Sequence, residues 1–223
     1  MKNRFFKLLF ACVMLLISVN IVSAQYSVGQ KTTFGSYEQG SGKKPISWLV
    51  IKVENNRALL LSESILDEKP YHNSNSSVTW ETSSLRRWLN NEFYNTAFTA
   101  SEKKQIVEVT NKNPDTAGTI QGYYFSTDGG NDTKDKVFLL SIDEATNFNN
   151  KFGTWRCYFT PYVGKKGGYA ADTNIGPLWW LRSPGADSNC AAMVTIDGIL
   201  TNCFEPVSTI TIGVRPAIWV TQK

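Results

Sequence analysis

Two segments near the C-terminal end of this 223-residue chain constrain its fold more than any other feature. One is Trp179-Trp180-Leu181-Arg182-Ser183-Pro184-Gly185, and the other is Gly213-Val214-Arg215-Pro216-Ala217-Ile218-Trp219-Val220. Each sets a single arginine in an apolar, aromatic run beside a proline. Such runs read as strands, and the proline breaks the ladder because it has no N–H to donate. An arginine there can be read in two ways. Its planar fork can clamp a carboxylate or sulfate. Alternatively its stem stacks on Trp180 or Trp219 and its head pairs with an acid or with loop carbonyls, since buried charges are paired. The second reading makes Arg182 and Arg215 staples that close the domain, and it is the favoured one.

The rest of the chain alternates strands with a few helices. Ile46–Val53 and Arg57–Ser62 form a hairpin across Glu54-Asn55-Asn56, and the second strand, apolar on both faces, belongs inside a sheet. Residues 68 to 79 are polar and loop-like. Leu85, Trp88, Leu89 and Phe93 share one face of a helix expected over Glu81–Tyr94. Capping boxes at Thr99-Ala100-Ser101-Glu102 and Ser141-Ile142-Asp143-Glu144 open two more helices. Residues 111 to 134, rich in Gly, Asp, Asn and Thr, read as a long irregular loop. Val137–Leu140 reads as a short buried strand. Four C-terminal strands follow: Leu178–Leu181, Ala191–Ile196, Ile199–Phe204 and Val214–Val220. No repeat or linker divides the chain, so residues 25–223 form one α+β domain of mixed antiparallel strands, two or three helices and long loops.

The first 24 residues have the form of a secretory signal. Lys2, Arg4 and Lys7 precede an apolar stretch from Leu8 to Val19, and Val22-Ser23-Ala24 supplies the small residues of a cleavage site before Gln25. That stretch is too short for a membrane span. The signal carries three of the 23 basic residues, which leaves 20 against 19 acidic ones. A net charge of +1 gives no electrostatic footprint for nucleic acid. The protein is expected to be secreted, periplasmic or at the cell surface, with no span after cleavage. Cys157, Cys190 and Cys203 remain, an odd number that permits one internal bridge at most. A two-residue turn at Asp197-Gly198 places Ala192 opposite Cys203 and Cys190 opposite Glu205. The pairing of Cys190 with Cys203 stays open in that register.

Thr79-Trp80-Glu81-Thr82-Ser83-Ser84-Leu85-Arg86-Arg87-Trp88-Leu89-Asn90, then Asp135-Lys136-Val137-Phe138-Leu139-Leu140-Ser141 and the two arginine segments, together resemble a bacterial family known as a domain of unknown function. The family's ending is similar to the C-type-lectin-like fold, in the branch of the sulfatase-modifying (formylglycine-generating) enzymes. The resemblance implies a C-type-lectin-like α+β domain whose surface loops hold a ligand. It implies no established activity.

Ligand-binding candidates are Arg182, Arg215, Trp180, Tyr158, Tyr162 and Tyr169. The aromatics offer platforms for stacking on sugars if exposed, and core if buried. Trp155 and Trp179 belong to the same dense stretch, and the tyrosines of the 158–169 loop are the better surface candidates. Asp128, Asn131, Asp132 and Asp135 could supply oxygens to calcium, although their spacing lacks the EF-hand pattern and reads more simply as a solvated turn. For catalysis only His72 and a reactive Cys157 or Cys190 offer themselves, and no constellation joins them. No cofactor is expected. The expected function is therefore a secreted binding module for a glycan, a peptide or a cell-surface protein. The alternatives are a divergent enzyme of the sulfatase-modifying class and a structural surface domain.

Overall fold

A computed structural model describes residues 25–153, 157–167, 178–195, 200–201 and 205–222. The expected signal peptide, Trp155, Tyr169 and Cys203 lie outside the described residues.

The first sheet is antiparallel throughout. It runs β1 (Lys31–Glu38), β2 (Lys43–Glu54), β3 (Arg57–Ser62), β16 (Ala217–Thr221) and β6 (Ile106–Val107), in that spatial order. The expected hairpin is β2–β3, and β3 is interior, between β2 and β16. This sheet also joins the two ends of the described chain. The Gln222 side chain accepts from the Tyr26 N–H at 2.7 Å and donates to the Tyr26 carbonyl at 3.2 Å.

Short strands β4 (Ser64–Ile65) and β5 (Asp67–Glu68) carry the chain from β3 to the second sheet. That sheet runs β14 (Leu200–Thr201), β13 (Ala191–Val194), β12 (Trp179–Pro184), β15 (Gly213–Val214) and β5. Only β12–β15 is a parallel pair in it. The strand expected over Val214–Val220 is thus two strands in two sheets, because Arg215-Pro216 interrupts the ladder. Gly213 fits the tight junction: a Cβ there would lie 2.7 Å from the Ile65 side chain and from the Leu178 carbonyl. The β13–β14 register is Met193↔Thr201 and Val194↔Leu200. This is one residue away from the register a two-residue turn would set, because an odd number of residues joins the pair.

The helix opens later than its apolar pattern implies. Ser83 is its cap, accepting from the Arg86 N–H at 3.1 Å, and α1 (Ser84–Trp88) runs through a π-helical turn (Leu89–Phe93) into α2 (Tyr94–Ala97). Leu85, Leu89 and Phe93, all buried, are spaced by four rather than 3.6 residues. The wider turn keeps them on one face. Both capping boxes are present, at α3 (Ala100–Lys103) and α4 (Ile142–Phe152). A single turn, α5 (Pro161–Gly164), follows β11 (Tyr158–Phe159), which pairs with β4.

The expected 111–134 loop is instead largely strand. β7 (Val109–Asn111) pairs with β10 (Thr133–Asp135), and between them β8 (Thr116–Ile120) and β9 (Tyr123–Thr127) form a separate hairpin. Its turn, Gln121-Gly122, holds both residues at positive φ (51° and 85°), the geometry of a two-residue hairpin turn. Conversely, Val137–Leu140 is fully buried but makes a single bridge, Phe138↔Ala217. One apolar cluster joins both sheets and the helices, so the domain is α+β, mostly strand.

Candidate functional site

Arg182 and Arg215 are both nearly fully buried, 4 % and 3 % exposed. Arg182 works where the 137–140 segment lacks a ladder. Its N–H donates to the Leu140 carbonyl at 2.9 Å, its Nη1 donates to the Leu139 carbonyl at 2.8 Å, and Nη1 also pairs with the Glu144 carboxylate. Glu144 in turn caps α4 by accepting from the Ser141 N–H at 2.9 Å. Arg182 therefore ties β12 to the buried segment and to the start of α4.

Arg215 stands where β3–β5 and β15–β16 both pass between the sheets. Its Nε donates to the Ser62 carbonyl at 2.9 Å, and its guanidinium lies 5.0 Å from the Trp179 ring centre and 5.4 Å from that of Phe148. Burial pulls its pKa down, opposed by the nearby Cys157 and Glu63. Trp180 is fully buried and its indole N–H donates to the Lys69 carbonyl at 3.0 Å. None of these three candidates reaches solvent to meet a ligand.

Of the tyrosines, Tyr158 is 84 % exposed. Tyr162 is half-buried on α5, edge-on to Tyr37 with ring centres 6.4 Å apart, and the Lys166 ammonium sits 4.7 Å from its centre. Beneath them Asp67, almost fully buried, accepts from the Tyr37 hydroxyl at 2.7 Å and pairs with Lys166. Burial, reinforced by the Asp67 charge, pushes the Tyr37 phenol well above its ordinary range. Burial disfavours the Lys166 ammonium, but its bond to Asp67 outweighs that, and its pKa rises. This cluster holds α5 against β1 and β5.

The four calcium candidates do not converge. Asp135, fully buried, is saturated by protein donors: Arg86 Nε at 2.6 Å, Thr133 Oγ1 at 2.7 Å, Asn111 Nδ2 at 2.9 Å and Trp80 Nε1 at 3.1 Å. Asp132 pairs with Lys112, Asn131 donates to Glu81 at 3.0 Å, and Asp128 accepts from the Gly130 N–H at 2.8 Å. Among the described residues no group of His, Cys, Asp and Glu is arranged to hold a metal.

The two thiols differ. Cys157 is free and buried, donates to the Glu63 carbonyl at 3.2 Å, and has its pKa pushed up by burial. Cys190 is disulfide-bonded. His72 accepts from the Ser84 N–H at 3.3 Å, beside the start of α1.

Besides Tyr158, exposed aromatic residues gather on the β8–β9 hairpin. Tyr123 and Tyr124 are 79 % and 75 % exposed, and Ile120 is also exposed. Residues 116–127 contain no charged side chain. Phe125 lies over Gly118, where a Cβ would meet its ring at 3.0 Å. Aromatic cover of this kind supports a glycine in a strand. Among the described residues neither strand pairs with any other, although Thr116 and Thr127 at the base of the arm are buried and Thr127 Oγ1 donates to the Ala186 carbonyl at 2.8 Å. The sequence does signal it: Thr, Ile, Tyr and Phe on both sides of Gln121-Gly122 favour strand over loop.

Fold and surface together define a mostly-β α+β domain, pinned inside by paired charges and carrying its aromatic surface on an arm. A family model for a domain of unknown function, DUF6273, matches residues 55–222, about three-quarters of the chain, and the chain belongs to that family. No curated protein and no solved structure matches it. No helix among the described residues is long and apolar enough to cross a membrane.

Proposed function

We propose that this protein is a secreted interaction module of C-type-lectin-like architecture, and that its partner is an extended polypeptide segment that adds to an edge of the β8–β9 arm. The observation that carries this reading is the arm itself: twelve uncharged residues, two edges unpaired among the described residues and two exposed tyrosines. Open edges are ordinarily blunted with lysine, proline or charge, and strand addition uses the unpaired backbone groups of an edge. Tyrosines on opposite faces add contact area at low entropic cost. The disulfide-bonded Cys190 supports an oxidising compartment. The enzymatic alternative gains nothing from Cys157, a buried thiol held protonated.

The test is to screen the protein against immobilised extended peptides and against glycans, with and without calcium, beside a Tyr123→Ser/Tyr124→Ser variant. Peptide binding that the variant loses supports the reading. Glycan binding that the variant keeps would sink it.

A further inference from the structure

Away from the arm, the solvent side of α4 stands over the first sheet with a cleft between them. Lys52, Leu59 and Trp219 form a row across three adjacent strands, since Lys52 pairs with Leu59 and Leu59 with Trp219. Opposite, Glu144, Asn147, Phe148 and Lys151 fall on one face of α4, at positions i, i+3, i+4 and i+7. Ile51 completes the floor, and the cleft encloses about 300 Å³. Floor and rim differ in chemistry. Ile51, Leu59, Phe148 and Trp219 are all at least nine-tenths buried in the protein yet form the walls. The rim is cationic. Arg57 lies 4.4 Å from the Trp219 ring centre and Lys52 lies 6.0 Å from it. Lys151 is exposed at the other lip, with no ion pair among the described residues.

Acids near the cleft are already committed. Glu54 pairs with Lys52 at 2.8 Å and with Arg57 at 3.3 Å, and Glu144 is held by Arg182 and by its own cap. Lys52, Arg57, Lys151 and Arg182 against Glu54 and Glu144 leave two positive charges uncompensated at an apolar slot. A neutral apolar ligand leaves that field unanswered, and a small inorganic anion leaves the floor uncovered. At roughly 30 Å³ per water-sized group, the volume holds a body of about ten non-hydrogen atoms.

We propose that this cleft binds a monocarboxylate with an apolar body of that size, the body on Trp219, Leu59 and Phe148 and the carboxylate toward Lys151 and Lys52. Such a ligand could be aliphatic or aromatic, and the probes separate the two. The full-length exported protein is titrated with octanoate, with 3-phenylpropanoate and with the matching neutral alcohols, following its ¹H–¹⁵N spectrum, in which the Trp219 indole N–H reports on the floor. Both acids are expected to shift that resonance, with dissociation constants near 1 mM or tighter, and the alcohols to bind at least tenfold more weakly. The tighter acid identifies the body. Lys151→Glu should weaken the acids about tenfold and leave the alcohols unchanged. Asn147→Trp, at an exposed position beside the opening, should block both. Acids that bind no better than the alcohols, Lys151→Glu without effect, or no shift of the Trp219 resonance at about 10 mM acid would each overturn the assignment. The arm plays no part in these outcomes, so they leave the strand-addition reading untouched.

Discussion

Replacing Asp135 with Asn should remove a large share of this domain's stability, although the two side chains have the same shape. The Asp135 carboxylate is completely buried and accepts from four close donors on Arg86, Thr133, Asn111 and Trp80. An amide offers one oxygen in place of two and turns an NH₂ toward groups that also donate. An oxygen kept in the Oδ2 place still accepts from Trp80, Asn111 and Thr133, but the NH₂ then faces Arg86 Nε, and a buried donor left without a partner costs about 1–3 kcal/mol. The Arg86 ion pair goes as well, and Arg86 is three-quarters buried. Breaking one side of a buried pair costs about 3–5 kcal/mol, and part of that is the same lost bond. We expect about 4 kcal/mol in all, against a total stability of about 5–15 kcal/mol for a domain. With a urea slope of about 2 kcal/mol/M, the midpoint should fall by about 2 M. Urea unfolding followed by tryptophan fluorescence measures this, and the Trp80 indole N–H resonance shows whether the remaining oxygen stays in the Oδ2 place. A midpoint drop under about 0.5 M would refute the claim that Asp135 organises the helix, the β7–β10 ladder and the segment after it.

Other outcomes follow from the same geometry. Arg182→Met should cost about 3 kcal/mol, because the Leu139 carbonyl and Glu144 lose a buried donor; thermal unfolding measures it, and an unchanged transition would mean that Arg182 is not a staple. Lys166 has a raised pKa in the fold, so its contribution is complete below the unfolded ammonium value of about 10.4 and is lost as pH rises through the folded value. Tyr37, also raised, has the same sign. The urea midpoint should therefore fall above about pH 10, and Lys166→Met should flatten that slope; equal slopes would contradict the pairing with Asp67. Tyr123→Ser/Tyr124→Ser should move stability by no more than about 0.5 kcal/mol, as expected for exposed side chains, while removing peptide binding. Cys190→Ser, or a reductant, should lower the melting temperature by the equivalent of about 2–4 kcal/mol.

What was legible in the sequence was whatever is decided within a few residues. Thr99 and Ser141 could be read as caps because each capping box is closed by its own Glu102 or Glu144. The β2–β3 hairpin follows from Glu54-Asn55-Asn56 and its flanking apolar runs. α1 opens three residues after the expected Glu81 because Ser83 caps it, and the turn before it is held by Trp80, whose indole N–H is drawn to Asp135, 55 residues away. The same distance hid the role of Asp135, whose oxygens look like calcium ligands until the donors from α1, the turn before it, β7 and β10 are assembled. The β8–β9 arm was hidden by its glycines and polar residues. Composition there suggests a loop, while the alternation of Thr, Ile, Tyr and Phe about a two-residue turn specifies a hairpin.

Arg182 and Arg215 show how a recognition chemistry can be turned inward. A guanidinium that can clamp a carboxylate in solution also suits a strand's end, where a carbonyl has lost its ladder partner. At Leu139 and Ser62 the arginines supply that missing donor. Lysine could donate to one carbonyl, but it has no planar face to lie between Phe148 and Trp179 as Arg215 does. The two arginine segments are thus committed to the corners of the scaffold. The arm draws on other residues, while the cleft takes Trp219 from the second arginine segment and Ile51 and Lys52 from outside the matched span. Membership of the family accordingly carries the framework, and on the functions proposed above the ligand is chosen by the side chains that the framework leaves exposed.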